Sequence, residues 1–129
     1  MKKLISILVI ALVFVAQTNA QDKMSKTQEA KTVSLEQTKG EFTQKALTLS
    51  EGTYIFEVSN NNAAPEVGLV LIEAGKDGSD ANNHIKAAYV SQMVKHGKTE
   101  SSQTVTLTKG TYKYFCPFNN TPQYTLTVE

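Results

Sequence analysis

Arginine is absent from the sequence, so lysine supplies every fixed positive charge. The guanidinium group of arginine forms the paired hydrogen bonds that hold phosphate and carboxylate groups. The sequence also lacks the dense lysine run that is typical of nucleic-acid-binding patches, and its formal net charge is only +1. We therefore expect neither nucleic acid nor a phosphorylated ligand as a partner.

A second cysteine is also missing, because Cys116 is the only one in the sequence. A single cysteine excludes an internal disulfide. In an exported protein it is buried, paired with another chain, or bound to a metal. Tyr112 and Tyr114 precede it on what the alternation predicts to be an inward face, which favours simple burial. An intermolecular disulfide, redox use and metal binding stay open.

No apolar run is long enough to span a membrane. Residues 4–16 form an apolar segment of 13 residues, whereas a spanning helix needs about 20. Lys2 and Lys3 precede this segment, and the small residues Thr18 and Ala20 follow it. This order is that of a secretory signal peptide over residues 1–20, cleaved after Ala20. We expect a mature protein that does not span the membrane and is periplasmic or secreted, with no cysteine nearby for a lipid anchor.

The sequence after the signal peptide divides into a leader and one domain. Residues 21–31 are polar and have too little apolar content to pack, which predicts a flexible leader. Residues 32–129 are of the size of a single domain.

A period of two dominates residues 32–129 and predicts short β-strands. Turn signals separate six or seven such strands, the pattern of an antiparallel, all-β, Greek-key sandwich. Residues 67–72 are continuously apolar and predict one buried strand that includes Gly68. Residues 73–83 predict a loop, residues 84–94 fit either a helical turn or an irregular segment, and residues 95–102 are polar again. The predicted inward-facing side chains are those of Tyr54, Phe56, Val58, Val105, Leu107, Tyr112, Tyr114, Leu126 and Val128.

Three segments carry a family resemblance. Residues 110–117 (GTYKYFCP) deliver Cys116 into a loop before the last strand, and residues 52–62 (GTYIFEVSNNN) are followed by residues 66–71 (EVGLVL). Together they resemble the cupredoxins, the family of small blue copper proteins. The resemblance implies a cupredoxin-like Greek-key sandwich, with copper binding and electron transfer as the family's function.

The resemblance also implies a set of copper ligands, which this sequence supplies only in part. A type 1 copper site uses two histidines and one cysteine, with a weak axial methionine or glutamine. Cys116 matches the cysteine. Pro65 stands just before Glu66, where the first histidine is expected. Residues 117–129 contain neither histidine nor methionine, and Gln123 is the only residue there that resembles an axial ligand.

Two histidines lie outside the positions that the resemblance assigns. His84 and His96 are in the polar middle segment, where exposed loop residues are the ordinary interpretation. They are weaker candidate ligands than Cys116, as is Gln123. Met93 and His96 fit a weak soft-metal pair, although methionine more often fills a gap in a core. We therefore expect no cofactor, with copper as the alternative.

Other candidate sites are weaker. A loop rich in carboxylate and amide oxygens fits either a calcium site or a solvated loop, and its spacing is not that of a known calcium loop. No serine or threonine has a histidine and an acid in a recognisable catalytic motif, so we expect no enzymatic activity. The oxygen-bearing loop residues are Asp77, Asp80, Asn82 and Asn83.

These observations predict an exported, non-enzymatic cupredoxin-like domain with a degenerate copper site. It would serve as a binding or accessory module for a protein partner in the periplasm or outside the cell. The alternative is a periplasmic copper-binding or electron-transfer protein whose site has been rebuilt around Cys116.

Overall fold

The computed structural model describes residues 30–129. The predicted signal peptide (1–20) lies outside these residues, as does the predicted leader (21–31) apart from its last two residues. Within the described part the chain forms ten β-strands and three short 3₁₀ turns, and none of its helices is long and apolar enough to cross a membrane. The strands are β1 (Lys31–Thr38), β2 (Glu41–Phe42), β3 (Ala46–Leu49), β4 (Gly52–Asn60), β5 (Glu66–Val67), β6 (Val70–Glu73), β7 (Val94–Lys95), β8 (Thr99–Leu107), β9 (Gly110–Phe115) and β10 (Tyr124–Val128).

Two four-stranded sheets pack against each other with the core between them. The first sheet has the order β2-β1-β4-β8, and the second has the order β3-β10-β9-β6. A separate two-stranded sheet, β5-β7, lies at one end. The prediction of an all-β sandwich is therefore confirmed.

The sheets are mixed, whereas the sequence pattern suggested purely antiparallel pairing. β1 pairs with β4 in parallel, and β3 pairs with β10 in parallel. The reason lies in the connections. The chain leaves the first sheet after β2, contributes β3 to the second sheet, and returns to the first as β4. Two strands separated by such an excursion can run in the same direction, which a tight hairpin forbids.

The predicted core is confirmed, since all nine predicted inward-facing side chains are buried. In β4 the buried residues alternate with partly exposed ones from Tyr54 to Asn60. Apolar residues from both sheets form one cluster between them. Burial of such side chains contributes roughly 1.5–3 kcal/mol each relative to exposure.

The apolar run 67–72 is not one strand, and this prediction is wrong. β5 ends at Val67 and β6 begins at Val70, in different sheets. Gly68 lies between them because its polar groups are used elsewhere. Its N–H donates to Sγ of Cys116, 3.4 Å away, and its carbonyl accepts from Nε2 of Gln37, 2.8 Å away.

The polar segment 95–102 contributes to two strands. It contains the end of β7 and the start of β8 at Thr99. β8 extends the first sheet beside β4, where Ser59 pairs with Thr99. Polar residues can form this strand because their backbone pairs with β4 while their side chains face solvent on the outer side of the sheet. The undecided segment 84–94 forms a 3₁₀ turn at Lys86–Ala88 and then enters β7.

Candidate functional site

Cys116 lies immediately after β9, at the end of the sandwich where β5 and β7 meet. Its side chain is fully buried. The only hydrogen bond that its Sγ makes within residues 30–129 comes from the backbone N–H of Gly68. Its own N–H donates to Oγ1 of Thr121 at 2.8 Å. The expected burial of this thiol is therefore observed.

A tight loop carries the chain away from the thiol. Pro117–Asn119 forms a 3₁₀ turn, and Asn120 closes it in the left-handed conformation (φ 54°). Asparagine tolerates this conformation better than most residues. The N–H of Thr121 then donates to the carbonyl of Cys116 at 3.2 Å, so the loop folds back on its starting point.

The backbone segment that contacts the thiol is that of Gly68. Pro65, which the resemblance placed at the first histidine position, is exposed at the surface. Val67 and Leu69, which flank Gly68, are both buried and apolar. This segment therefore brings no imidazole to the thiol.

His84 is occupied by other contacts. Its Nε2 lies 2.8 Å from the carbonyl oxygen of Gly78, and its Nδ1 lies 2.6 Å from Oη of Tyr89. A carbonyl only accepts, so Nε2 carries the proton and Nδ1 accepts from the tyrosine hydroxyl. Neither nitrogen of this tautomer has a lone pair free for a metal. The ring also packs edge-on against Phe115, with centroids 6.4 Å apart.

Gln123, like His84, lies beside Phe115. Its Nε2 would lie 2.8 Å from a Cβ added to Gly78, beside the ring of Phe115. Phe115 and Cys116 are consecutive residues of an extended segment, so their side chains point to opposite faces. His84 and Gln123 are thus brought together beside Phe115.

His96 and Met93 complete the set of candidate ligands. His96 is exposed in the turn between β7 and β8. Met93 lies against Gly68, with Sδ 3.7 Å from where a Cβ of that residue would stand. Among residues 30–129, no three side chains of His, Cys, Asp or Glu lie close enough together to hold a metal ion.

The donor set does not fit a type 1 copper centre. Such a centre needs a thiolate and two imidazoles in one plane. Around Cys116 the structure places a peptide N–H and apolar side chains. One histidine is hydrogen-bonded to Gly78 and Tyr89, and the other is exposed at a turn. A copper ion at Sγ would lack the nitrogen ligands that select it over other soft ions.

The oxygen-rich loop uses its carboxylates to hold itself together. Oδ1 of Asp77 accepts from both N–H and Oγ of Ser79, and these bonds lower the pKa of that carboxyl. Oδ1 of Asp80 accepts from the N–H of Asn82 at 3.0 Å. These local turns account for the residue types, as the solvated-loop interpretation expects.

An apolar cleft opens beside the thiol, and sequence reasoning missed it. Its volume is about 460 Å³, and it lies above the Gly68 segment. Phe118 and Tyr89, exposed by 62% and 37%, are the large apolar residues of the described chain that face solvent most, and both line the cleft. Its other walls include Leu69, Val90 and Met93. The sequence feature that could have indicated the cleft is Phe118, a large apolar residue in a predicted loop.

A more polar groove continues from the cleft. Gln92 and Met93 belong to both depressions. The second is lined by charges of both signs: Glu66, Lys95, Lys98 and Glu100. The end of the sandwich therefore presents an apolar centre with a charged margin on one side, which is a common arrangement in protein interfaces.

Comparison with known proteins agrees with the fold. The family model described as "Cupredoxin-like domain" matches residues 5–128. No curated protein matches the chain.

Solved structures of blue copper proteins resemble the chain at low sequence identity. Auracyanin A from the green thermophilic photosynthetic bacterium Chloroflexus aurantiacus is 20% identical, with a TM-score of 0.62 over 78% of this chain and 100% of that chain. Auracyanin B is 25% identical, with a TM-score of 0.56 over 78% and 89%. Auracyanin from the photosynthetic bacterium Roseiflexus castenholzii is 18% identical, with a TM-score of 0.60 over 78% and 98%.

Proposed function

Because the chain belongs to the family of cupredoxin-like domains, we propose that it is an exported, non-enzymatic member without a type 1 copper centre. Its role is to bind a protein partner in the periplasm or outside the cell. The contact surface is the apolar cleft beside Cys116, together with the charged groove that continues it.

The surroundings of Cys116 carry this proposal. A copper centre requires imidazole nitrogens at the thiol, and the two segments beside the thiol, residues 63–72 and 117–129, contain no histidine. His84 would have to give up its bonds to Gly78 and Tyr89 to serve as a ligand. Each of those hydrogen bonds contributes about 1 kcal/mol.

The absence of a converging catalytic set supports a binding role. Catalysis by proton transfer or nucleophilic attack needs an acid, a base or a nucleophile within hydrogen-bond reach of one another. Within residues 30–129, the only hydrogen bond of the Cys116 thiol comes from a backbone N–H, and His84 is bonded to a tyrosine and a backbone carbonyl. An exposed aromatic at a cleft margin is instead typical of a contact surface.

Export is the second part of the proposal. It rests on residues 1–20, which lie outside the described structure, and on the order of basic, apolar and small residues there. A mature chain that starts at Gln21 is the expected result of mass spectrometry on the native protein. An intact Met1 on a membrane-bound product would contradict it.

The decisive experiment is a Cu(II) titration of the purified protein, followed by visible absorption. We expect no intense band at roughly 600 nm, the colour of a thiolate held in a plane with two imidazoles. A colourless, weak association of Cu(I) with the thiol is compatible with this result, since soft ligands bind soft ions.

An intense band lost in Cys116→Ser would overturn the proposal. It would establish the second candidate, a copper-binding or electron-transfer protein with a rebuilt site. One observation favours that candidate: the Gly68 N–H points at Sγ, and a donor at sulfur stabilises a thiolate. Loss of the band in His84→Ala or His96→Ala would then identify the nitrogen ligand.

A further inference from the structure

Two chain segments meet at the Cys116 end of the sandwich, and a type 1 copper ion would join them. The resemblance assigns its ligands to the segment that precedes β6 and to the loop that follows β9. Ligands from separate segments make a metal ion a cross-link. Since the side chains present do not fit copper, the connection between these two segments must come from other contacts.

Gln37 provides the first of these contacts. It is the last of the inward-facing residues of β1. Its side chain is fully buried, although glutamine is seldom found in a core. Its Nε2 donates to the carbonyl of Gly68 at 2.8 Å. This bond fixes the Gly68 segment, whose N–H contacts the thiol.

Asn119 provides the second contact, from the loop after Cys116. Its Nδ2 donates to Oε1 of Gln37 at 3.2 Å and to the carbonyl of Thr38 at 2.8 Å. Its Oδ1 accepts from the N–H of Gly40 at 2.9 Å. The residue is only 6% exposed, and its bond to Gln37 is buried.

We infer that Gln37 and Asn119 form a buried amide bridge that replaces the metal cross-link, and that they are the positioning residues of the apolar cleft. Gly68 lies at one end of the bridge, and the loop that carries Pro117 and Phe118 lies at the other. These residues line the cleft from both segments. The cleft is therefore formed without copper. The part of this inference that concerns binding rests on the proposed function.

The two amides act as a unit. Removing Asn119 takes away the donor to Oε1 of Gln37, and removing Gln37 takes away the donor to the carbonyl of Gly68. An unpaired buried polar group costs more than the bond itself contributes. Networks of this kind couple their members in a low-dielectric interior. Coupling between Gln37 and Asn119 is the signature that separates a bridge from two independent packing contacts.

The first arm of the test asks whether a metal is needed. The thermal unfolding midpoint of the untagged protein should not change with a copper chelator or with one equivalent of Cu(I). A ligand that binds only the folded state raises the midpoint. A midpoint raised by several degrees would overturn the inference, even if no blue band appears in the Cu(II) titration.

The second arm compares Gln37→Met, Asn119→Ala and the double variant, with Gln103→Met as the matched control because Gln103 is exposed on β8. The readouts are hydrogen exchange of the Gly68 amide and reaction of the Cys116 thiol with an aromatic disulfide, both under native conditions. We expect the rate of each reaction to rise about tenfold or more in the single variants. Exchange of the Val58 amide in β4 should stay near the parent value.

In the double variant, both rates should rise by about as much as in either single variant. They should not rise by the product of the two single effects. Equal acceleration at Gly68 and Val58 would indicate global destabilisation only and would overturn the positioning role, as would additive effects. Should Gln37→Met fail to fold, the test rests on Asn119→Ala, which takes away the donor to Oε1 of Gln37. Unchanged Gly68 exchange in that variant would overturn the inference.

The link to the cleft is tested with a fluorescent apolar dye, anilinonaphthalene sulfonate. Parent protein and Gln103→Met should bind it with the same affinity, and Asn119→Ala should bind it at least about threefold more weakly. Unchanged dye affinity together with faster Gly68 exchange would overturn the link to the cleft.

Discussion

The side-chain amide of Asn60 donates to the backbone carbonyl of Val94, 2.9 Å away, although 34 residues separate them in the sequence. The same Nδ2 donates to the carbonyl of Ala64, and Oδ1 accepts from the N–H of Ala63. Asn60 is buried, so it fixes the loop after β4 against β7 from inside the protein. This relationship explains why the first of three consecutive asparagines differs from the others.

Replacement of Asn60 by alanine should lower the free energy of unfolding by about 2–4 kcal/mol, because it leaves three backbone groups without their buried partner. Asn61→Ala is the matched control, since that side chain is exposed and makes a single bond to Glu36. Its effect should be about 0.5 kcal/mol or less. Urea denaturation measures both, and equal effects of the two variants would contradict the structural role of Asn60.

The two phenylalanines Phe56 and Phe118 should respond oppositely to truncation. Phe56 is fully buried in β4, so Phe56→Ala should cost about 3–5 kcal/mol of stability. Phe118 is exposed, so Phe118→Ala should change stability by about 0.5 kcal/mol or less and instead weaken binding of the apolar dye to the cleft. Denaturation and dye titration test the pair. A Phe56→Ala protein as stable as the parent would contradict the burial of Phe56. A Phe118→Ala protein that binds the dye as the parent does would contradict a dye site at the cleft.

Tyr114 should make stability fall at high pH. Burial raises the pKa of Tyr114 to about 12, with a smaller contribution from Tyr124. The phenol therefore stays protonated in the folded state at pH values where the unfolded chain loses its proton. Its contribution to stability is complete below pH ~10 and is lost as the pH rises towards 12.

The variant Tyr114→Phe isolates this contribution. It loses the hydrogen bond from Oη to the carbonyl of Gln44 and should be less stable than the parent at neutral pH by about 1 kcal/mol. Because it cannot ionise, the difference should shrink between pH ~10 and 12. Urea midpoints of both proteins across this range provide the measurement. A constant difference would mean that Tyr114 titrates normally.

The alternation of apolar and polar residues was sufficient to predict the inward faces of β4, β9 and β10. A strand exposes alternate side chains to opposite faces, so its phase is a local property that a short sequence window contains. The same reasoning placed Cys116 inside, after Tyr112 and Tyr114. The family resemblance rested on these segments, and the match of the family model to residues 5–128 confirms it.

Local pattern failed where hydrogen bonds from distant segments decided the outcome. Gly68 interrupts the run 67–72 because Gln37 and Cys116 take its carbonyl and its N–H. In the sequence, Gln37 only continues the alternation of Val33 and Leu35. Nothing near it indicates that it contacts Gly68. The same is true of the start of β8, whose polar residues become a strand through pairing with β4.

The sequence by itself determined the sandwich, the depth of the thiol and the shortage of copper ligands, because these follow from residue type and alternation. Only the tertiary structure decided which side chains meet. It placed His84 and Gln123 beside Phe115, and it joined Gln37, Gly68 and Asn119 at the thiol end. Those contacts link residues up to 82 positions apart, and their geometry depends on how both sheets pack rather than on any local window.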